Sequence, residues 1–73
     1  MKLTVTEIAV HKENESPVVG DLVTYVKLMD DGGGEFIKLV QYTETDVDEI
    51  RLDFNEIEHV LKAIEMIKEA RNV

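Results

Sequence analysis

Lysines set among aromatic rings are the clearest chemistry in this chain. Tyr25, Lys27 and Met29 fall at alternate positions, as do Phe36, Lys38, Val40 and Tyr42. Alternation with a period of two places each set on one face of a strand. Lysines interleaved with rings on a sheet face suit stacking of bases and pairing with phosphates. A second, opposite chemistry follows at Glu44, Asp46, Asp48 and Glu49. An acid-rich segment of this kind attracts a basic protein surface and holds a hard cation only loosely.

Other reactive residue types are present without the spacing that would use them. Gly32-Gly33-Gly34 lacks the following Lys-Ser or Lys-Thr of a phosphate loop, and no helix is expected after it. Asp30, Asp31 and Glu35 beside it do not follow an EF-hand spacing. His11 and His59 are far apart and belong to no metal-ligand motif. Ser16 is the only serine and stands beside Pro17, away from any nucleophile elbow. The carboxylates sit in charge-rich surroundings that would not tune them for proton transfer. The expectation is a protein that is not an enzyme, with no cofactor and no metal.

Bulk properties narrow the class. A chain of 73 residues is expected to form one small domain, residues 1–73, with a small core and thin stability. It has no cysteine, so neither a disulfide nor a thiolate zinc site can reinforce it. Self-association is a reasonable source of extra burial. The net charge of −8 disfavours nucleic acid and anionic membranes on average. No stretch reaches the length of a membrane span, and Glu7 interrupts any signal-peptide core. A cytoplasmic setting without membrane contact is expected.

These residues need elements to position them. Asp53 to Arg71 carries the one convincing helix, with Phe54, Ile57, Val60, Leu61, Ile64, Ile67 and Arg71 recurring at three- and four-residue steps. Asp53 and Glu56 match a capping box. Acids near the helix start and Lys68 and Arg71 near its end suit the macrodipole. Behind the stripe, His59, Ala63, Met66 and Ala70 would permit close packing against another element. Upstream, Leu3 to Lys12 reads as a strand whose phase switches near Thr6-Glu7, suggesting a bulge or bend. Glu13 to Asp21 reads as a loop with Val18 and Val19 pairing briefly at an edge.

The Asp30–Gly34 turn signal sets up a hairpin. With Gly32-Gly33 at its tip, Met29 faces Phe36, Leu28 faces Ile37, Lys27 faces Lys38, Val26 faces Leu39 and Tyr25 faces Val40. A slip of one residue would mix the two faces, so the hydrophobic pattern fixes the register. Thr43 to Glu49 reads as an acidic loop, and Ile50 to Leu52 as the end of a last short strand. The expected fold is α+β: a single antiparallel sheet of three to four strands (about 2–12, 22–29, 35–43 and 49–52) on one C-terminal helix (about 54–71), in the order ββββα.

Both faces of the hairpin are apolar, and one helix can cover only one of them. The aliphatic face, with Leu22, Val26, Leu28, Ile37 and Leu39, is the better match for the helix stripe. The other face would then expose Val23, Tyr25, Met29, Phe36, Val40 and Tyr42 around Lys27 and Lys38, a patch large enough to be an interface, first of all that of a homodimer. Lys27 opposite Lys38 is unfavourable unless something negative joins them. Neighbouring carboxylates or a nucleic-acid backbone would serve.

The order ββββα with lysines and rings on one sheet face resembles the Whirly and positive-cofactor-four class of single-stranded-DNA-binding domains. The resemblance extends over the whole chain as an order of elements. It implies a dimer with single-stranded DNA on the sheet. Three readings therefore compete, the last a small accessory or structural subunit with no ligand. The first is a small acidic non-catalytic interaction module, homodimeric, that binds a protein partner through Glu44, Asp46, Asp48 and Glu49 on a surface that mimics nucleic acid. The alternative is a single-stranded nucleic-acid-binding regulator using the lysine and aromatic face.

Overall fold

The computed structural model describes residues 1–16, 23–42 and 45–71. Four strands precede one helix: β1 (Glu7–Val10), β2 (Thr24–Asp30), β3 (Glu35–Tyr42), β4 (Val47–Leu52) and α1 (Phe54–Arg71). The strands form one antiparallel sheet whose spatial order is the chain order. The α+β class and the ββββα order are those that the residue periodicities require.

The hairpin register follows from the side-chain pattern. Tyr25 pairs with Val40, Val26 with Leu39, Lys27 with Lys38, Leu28 with Ile37 and Met29 with Phe36. Its tip is wider than a two-residue turn, because the last pair is Asp30 with Glu35. The Gly32 N–H donates to Asp30 Oδ1 at 2.8 Å and the Gly33 N–H to Asp31 Oδ1 at 3.0 Å. Two successive Asx turns therefore shape the loop. Positive φ falls at Gly32 (95°) and Gly34 (119°), where a side chain would be strained.

The outer strands differ from their expected lengths. β1 is four residues long, and residues 1–6 precede it without strand pairing, tied by the Leu28 N–H donating to the Thr6 carbonyl at 2.8 Å. The phase switch at Thr6-Glu7 thus marks the start of the strand. β4 is longer than expected and begins at Val47, so Asp48 and Glu49 are strand residues. Alternation of Val47, Glu49 and Arg51 against Asp48, Ile50 and Leu52 was masked in the sequence by acids on both faces. The expected edge pairing of Val18 and Val19, and Leu22, lie outside the described residues.

Helix α1 starts where its cap residues place it. The Asp53 N–H donates to Glu56 Oε1 at 2.9 Å, and the Glu56 N–H donates to the Asp53 carbonyl at 3.0 Å. The reach of Glu56 back to the entry residue satisfies a donor that the helix itself cannot.

Burial departs from expectation. Among the described residues the buried side chains are Val23, just before β2, and Phe36 and Val40 on the lysine and aromatic face. Val26, Leu28, Ile37 and Leu39 on the aliphatic face are half-buried. The helix makes its main contact with β3. No helix residue is buried, and only Ile57 and Val60 are half-buried. The expectation that the lysine and aromatic face lies open at Val23, Phe36 and Val40 is therefore corrected. Flat rings and long charged side chains lie over that face, and their apolar parts supply cover that a count of apolar residues overlooks.

Candidate functional site

Strand pairing assembles one row across all four strands: Glu7, Lys27, Lys38 and Arg51. Three cations thus stand side by side on adjacent strands. Like charges directly opposite one another repel, so each needs a carboxylate. Lys27 Nζ lies 3.3 Å from Glu7 Oε1, and Lys38 Nζ lies 3.4 Å from Glu49 Oε2. Arg51 Nη1 donates to Asp31 Oδ2 at 2.7 Å. The three cations meet three carboxylates, which leaves the row neutral within a protein of net charge −8.

Rings complete the face. The Arg51 guanidinium carbon stands 3.7 Å from the centroid of Phe36, within cation–π distance, and roofs that buried ring. Lys27 Nζ lies 5.8 Å from the Tyr25 centroid. Tyr25 and Tyr42 meet edge to face at 5.7 Å between centroids. Val40 pairs laterally with Tyr25 and Glu49, has Lys38 and Tyr42 two positions away along its strand, and is 1% exposed. Two open depressions remain, of about 280 Å³ beside Phe36, Lys38, Glu49 and Arg51 and about 310 Å³ beside Glu7, Tyr25, Lys27 and Tyr42.

The Asp31 carboxyl is held below its ordinary value, first by the hydrogen bond from Arg51 and then by the Gly33 N–H. A carboxylate that accepts donors in its charged form is harder to protonate. Asp31 thus links the hairpin tip to β4 across the end of the sheet.

Of the lysine and aromatic residues expected together, Tyr25, Lys27, Met29, Phe36, Lys38 and Tyr42 do share one face. Phe36 is buried there, while Tyr42 is exposed. Arg51 joins them, unanticipated from sequence. Reading β4 as a strand from Val47 would have revealed it, two positions after Glu49 on the same face. The acidic set is not brought together. Asp46 precedes β4, Asp48 pairs with Gln41 and Glu49 with Val40 on successive, opposite-facing positions, and Glu44 lies outside the described residues.

Among the described residues no group of three or more His, Asp or Glu side chains could hold a metal ion. No described helix is long and apolar enough to cross a membrane. Comparison of the chain with protein-family models, curated proteins and solved structures gave no match.

Proposed function

We propose that this chain is a non-catalytic interaction module that acts by binding protein, with an apolar contact surface and an acidic rim. The observation that carries this reading is the open stripe of α1, where Phe54, Leu61, Ile64 and Ile67 are each at least half exposed. Large apolar side chains grouped on one surface cost solubility unless a partner covers them. Asp46 and Asp48, both exposed, supply charge suited to a basic partner. The cations of the sheet face are paired with carboxylates of the same chain, which favours a structural role for them over phosphate capture.

A second reading keeps single-stranded nucleic acid on that face. It is favoured by the three-cation row beside Tyr25 and Tyr42. Exposed ion pairs are worth at most about 1 kcal/mol, so a phosphate could exchange for Glu7 or Glu49.

Fluorescence anisotropy at low salt separates the two, using a labelled lysine-rich peptide and an oligothymidylate as probes. The first reading expects peptide binding that weakens by about tenfold in Asp46→Lys with Asp48→Lys, as loss and reversal of rim charge would give. Peptide binding indifferent to that change removes the acidic rim from the proposal. Saturable oligonucleotide binding that disappears in Lys27→Glu with Lys38→Glu replaces the first reading with the second.

A further inference from the structure

We infer that α1 pairs antiparallel with α1 of a second copy of this chain, the two stripes crossing at the level of Lys62. This rests on the interaction-module reading and names the surface and its occupant.

The first ground is area. The chain exposes 6539 Å², whereas a folded monomer of 8.3 kDa exposes about 4,600 Å². The radius of gyration is 14.7 Å, against about 11 Å for a compact chain of this length. Part of the excess belongs to residues 1–6, where Leu3 is fully exposed. The remaining surface still leaves room for the roughly 800 Å² per partner of a stable interface.

The second ground is location. Phe54 is 52% exposed and Ile57 and Val60 are half-buried, whereas from Leu61 at 55% through Ile64 at 50% to Ile67 at 64% every stripe residue is open. The second half of the stripe is therefore the more open half. An antiparallel partner lays its open end along the half-covered start of the first helix.

The third ground is charge. When residue i stands opposite residue 124−i, Ile57 meets Ile67 and Val60 meets Ile64. At the ends, Glu56 then meets Lys68 and Asp53 meets Arg71, acid against base on both sides of the axis. A parallel pairing would set Glu56 on Glu56 and Lys68 on Lys68. Centring the antiparallel pair on Ile64 would press Lys68 onto Val60 and Arg71 onto Ile57, which disfavours that register. A pattern complementary to itself under two-fold rotation is what an interface between identical chains requires, and a different protein would have no reason to match it.

The chain has no cysteine, so single introduced thiols report geometry directly. Sedimentation of the full chain at tens of micromolar should give about twice 8.3 kDa, and Ile64→Lys should shift it to the mass of one chain. Mild oxidation should link Leu61→Cys, on the stripe and next to the crossing level, into a covalent dimer. Lys62→Cys stands at the same level but on the outer side of the helix and should not link. The cross-linking contrast stands even if Ile64→Lys unfolds. A monomeric wild-type chain, or equal linking at the two positions, overturns the pairing, and preferential linking of Ile64→Cys overturns its antiparallel sense. Loss of the pairing with peptide binding intact removes this inference alone. Saturable oligonucleotide binding by a cross-linked Leu61→Cys dimer would remove the parent reading instead.

Discussion

Phe36→Ala tests where the core lies. Phe36 is 7% exposed and sits beneath the Arg51 guanidinium at 3.7 Å. Truncating a buried Phe to Ala costs about 3–5 kcal/mol in lost transfer energy and residual cavity. A chain of 73 residues has a total stability of about 4–11 kcal/mol. The variant should therefore lose about a quarter of its stability at the least, and unfold outright where a cost near 5 kcal/mol meets the low end of that range. Phe36→Leu keeps most of the volume and should cost less than about 1.5 kcal/mol. Arg51→Ala leaves the ring in place and removes its roof together with an exposed ion pair, for about 1 kcal/mol. Urea unfolding followed by far-UV circular dichroism reads all three, at one protein concentration because self-association, where present, is linked to folding. With a denaturant slope of about 1 kcal/mol/M, Phe36→Ala should move the midpoint by about 3 M or leave no transition. If Phe36→Ala and Ile67→Ala shift the midpoint equally, the lysine and aromatic face is not the core and the reasoning fails.

Two further outcomes follow from the hairpin tip. Gly34→Ala should cost about 1–3 kcal/mol because its φ of 119° strains any side chain, whereas Gly33→Ala should stay within about 1 kcal/mol of wild type. The Gly33 backbone is not in the left-handed region, and the added Cβ would meet only the movable Asp31 Oδ1 at 3.3 Å; thermal melts of the two variants provide the comparison. Asp31 has its folded-state pKa lowered from 3.8, so its contribution is present above that ordinary value and is lost as pH falls through the lowered one. Asp31→Asn should flatten that acid limb of the stability–pH curve and leave the neutral region parallel to wild type. A variant curve as steep as wild type below the ordinary carboxylate range would exclude the Asp31–Arg51 bond as its source.

Local rules recovered most of the fold because several acted together. The Gly-rich turn and two alternating strands specified one register, and a slip would have mixed the faces. Asp53, Glu56 and the stripe placed the helix from Phe54 to Arg71. Strand β4 was partly hidden because Asp46, Asp48 and Glu49 put charge on both of its faces, erasing the apolar alternation that marks a strand. Burial was the least legible quantity. Counting apolar residues on each face gave the helix to the aliphatic side, but Phe36 is covered by an arginine from β4 and Val40 is flanked by a tyrosine, a lysine and a glutamate. Those contacts depend on register across two strand pairs at once, which no single segment displays. The lysines were identified as needing carboxylates, while the source of those carboxylates, Glu7 and Glu49, emerged only when β1 and β4 took their places.

The meander has a consequence for how the chain acquires its structure. Every strand pairs only with its neighbour in sequence, and the helix comes last. The β2–β3 and β3–β4 pairings close only short loops, so the entropy lost before each of them is small and this part of the sheet should form rapidly. The Asx turns at Asp30 and Asp31 make the β2–β3 hairpin the natural first structure. The edge strands can then add one at a time, each supplying the carboxylate that relieves the repulsion between Lys27 and Lys38. Charge compensation would thus act as a sequence of steps, with the central hairpin under electrostatic tension until both neighbours arrive.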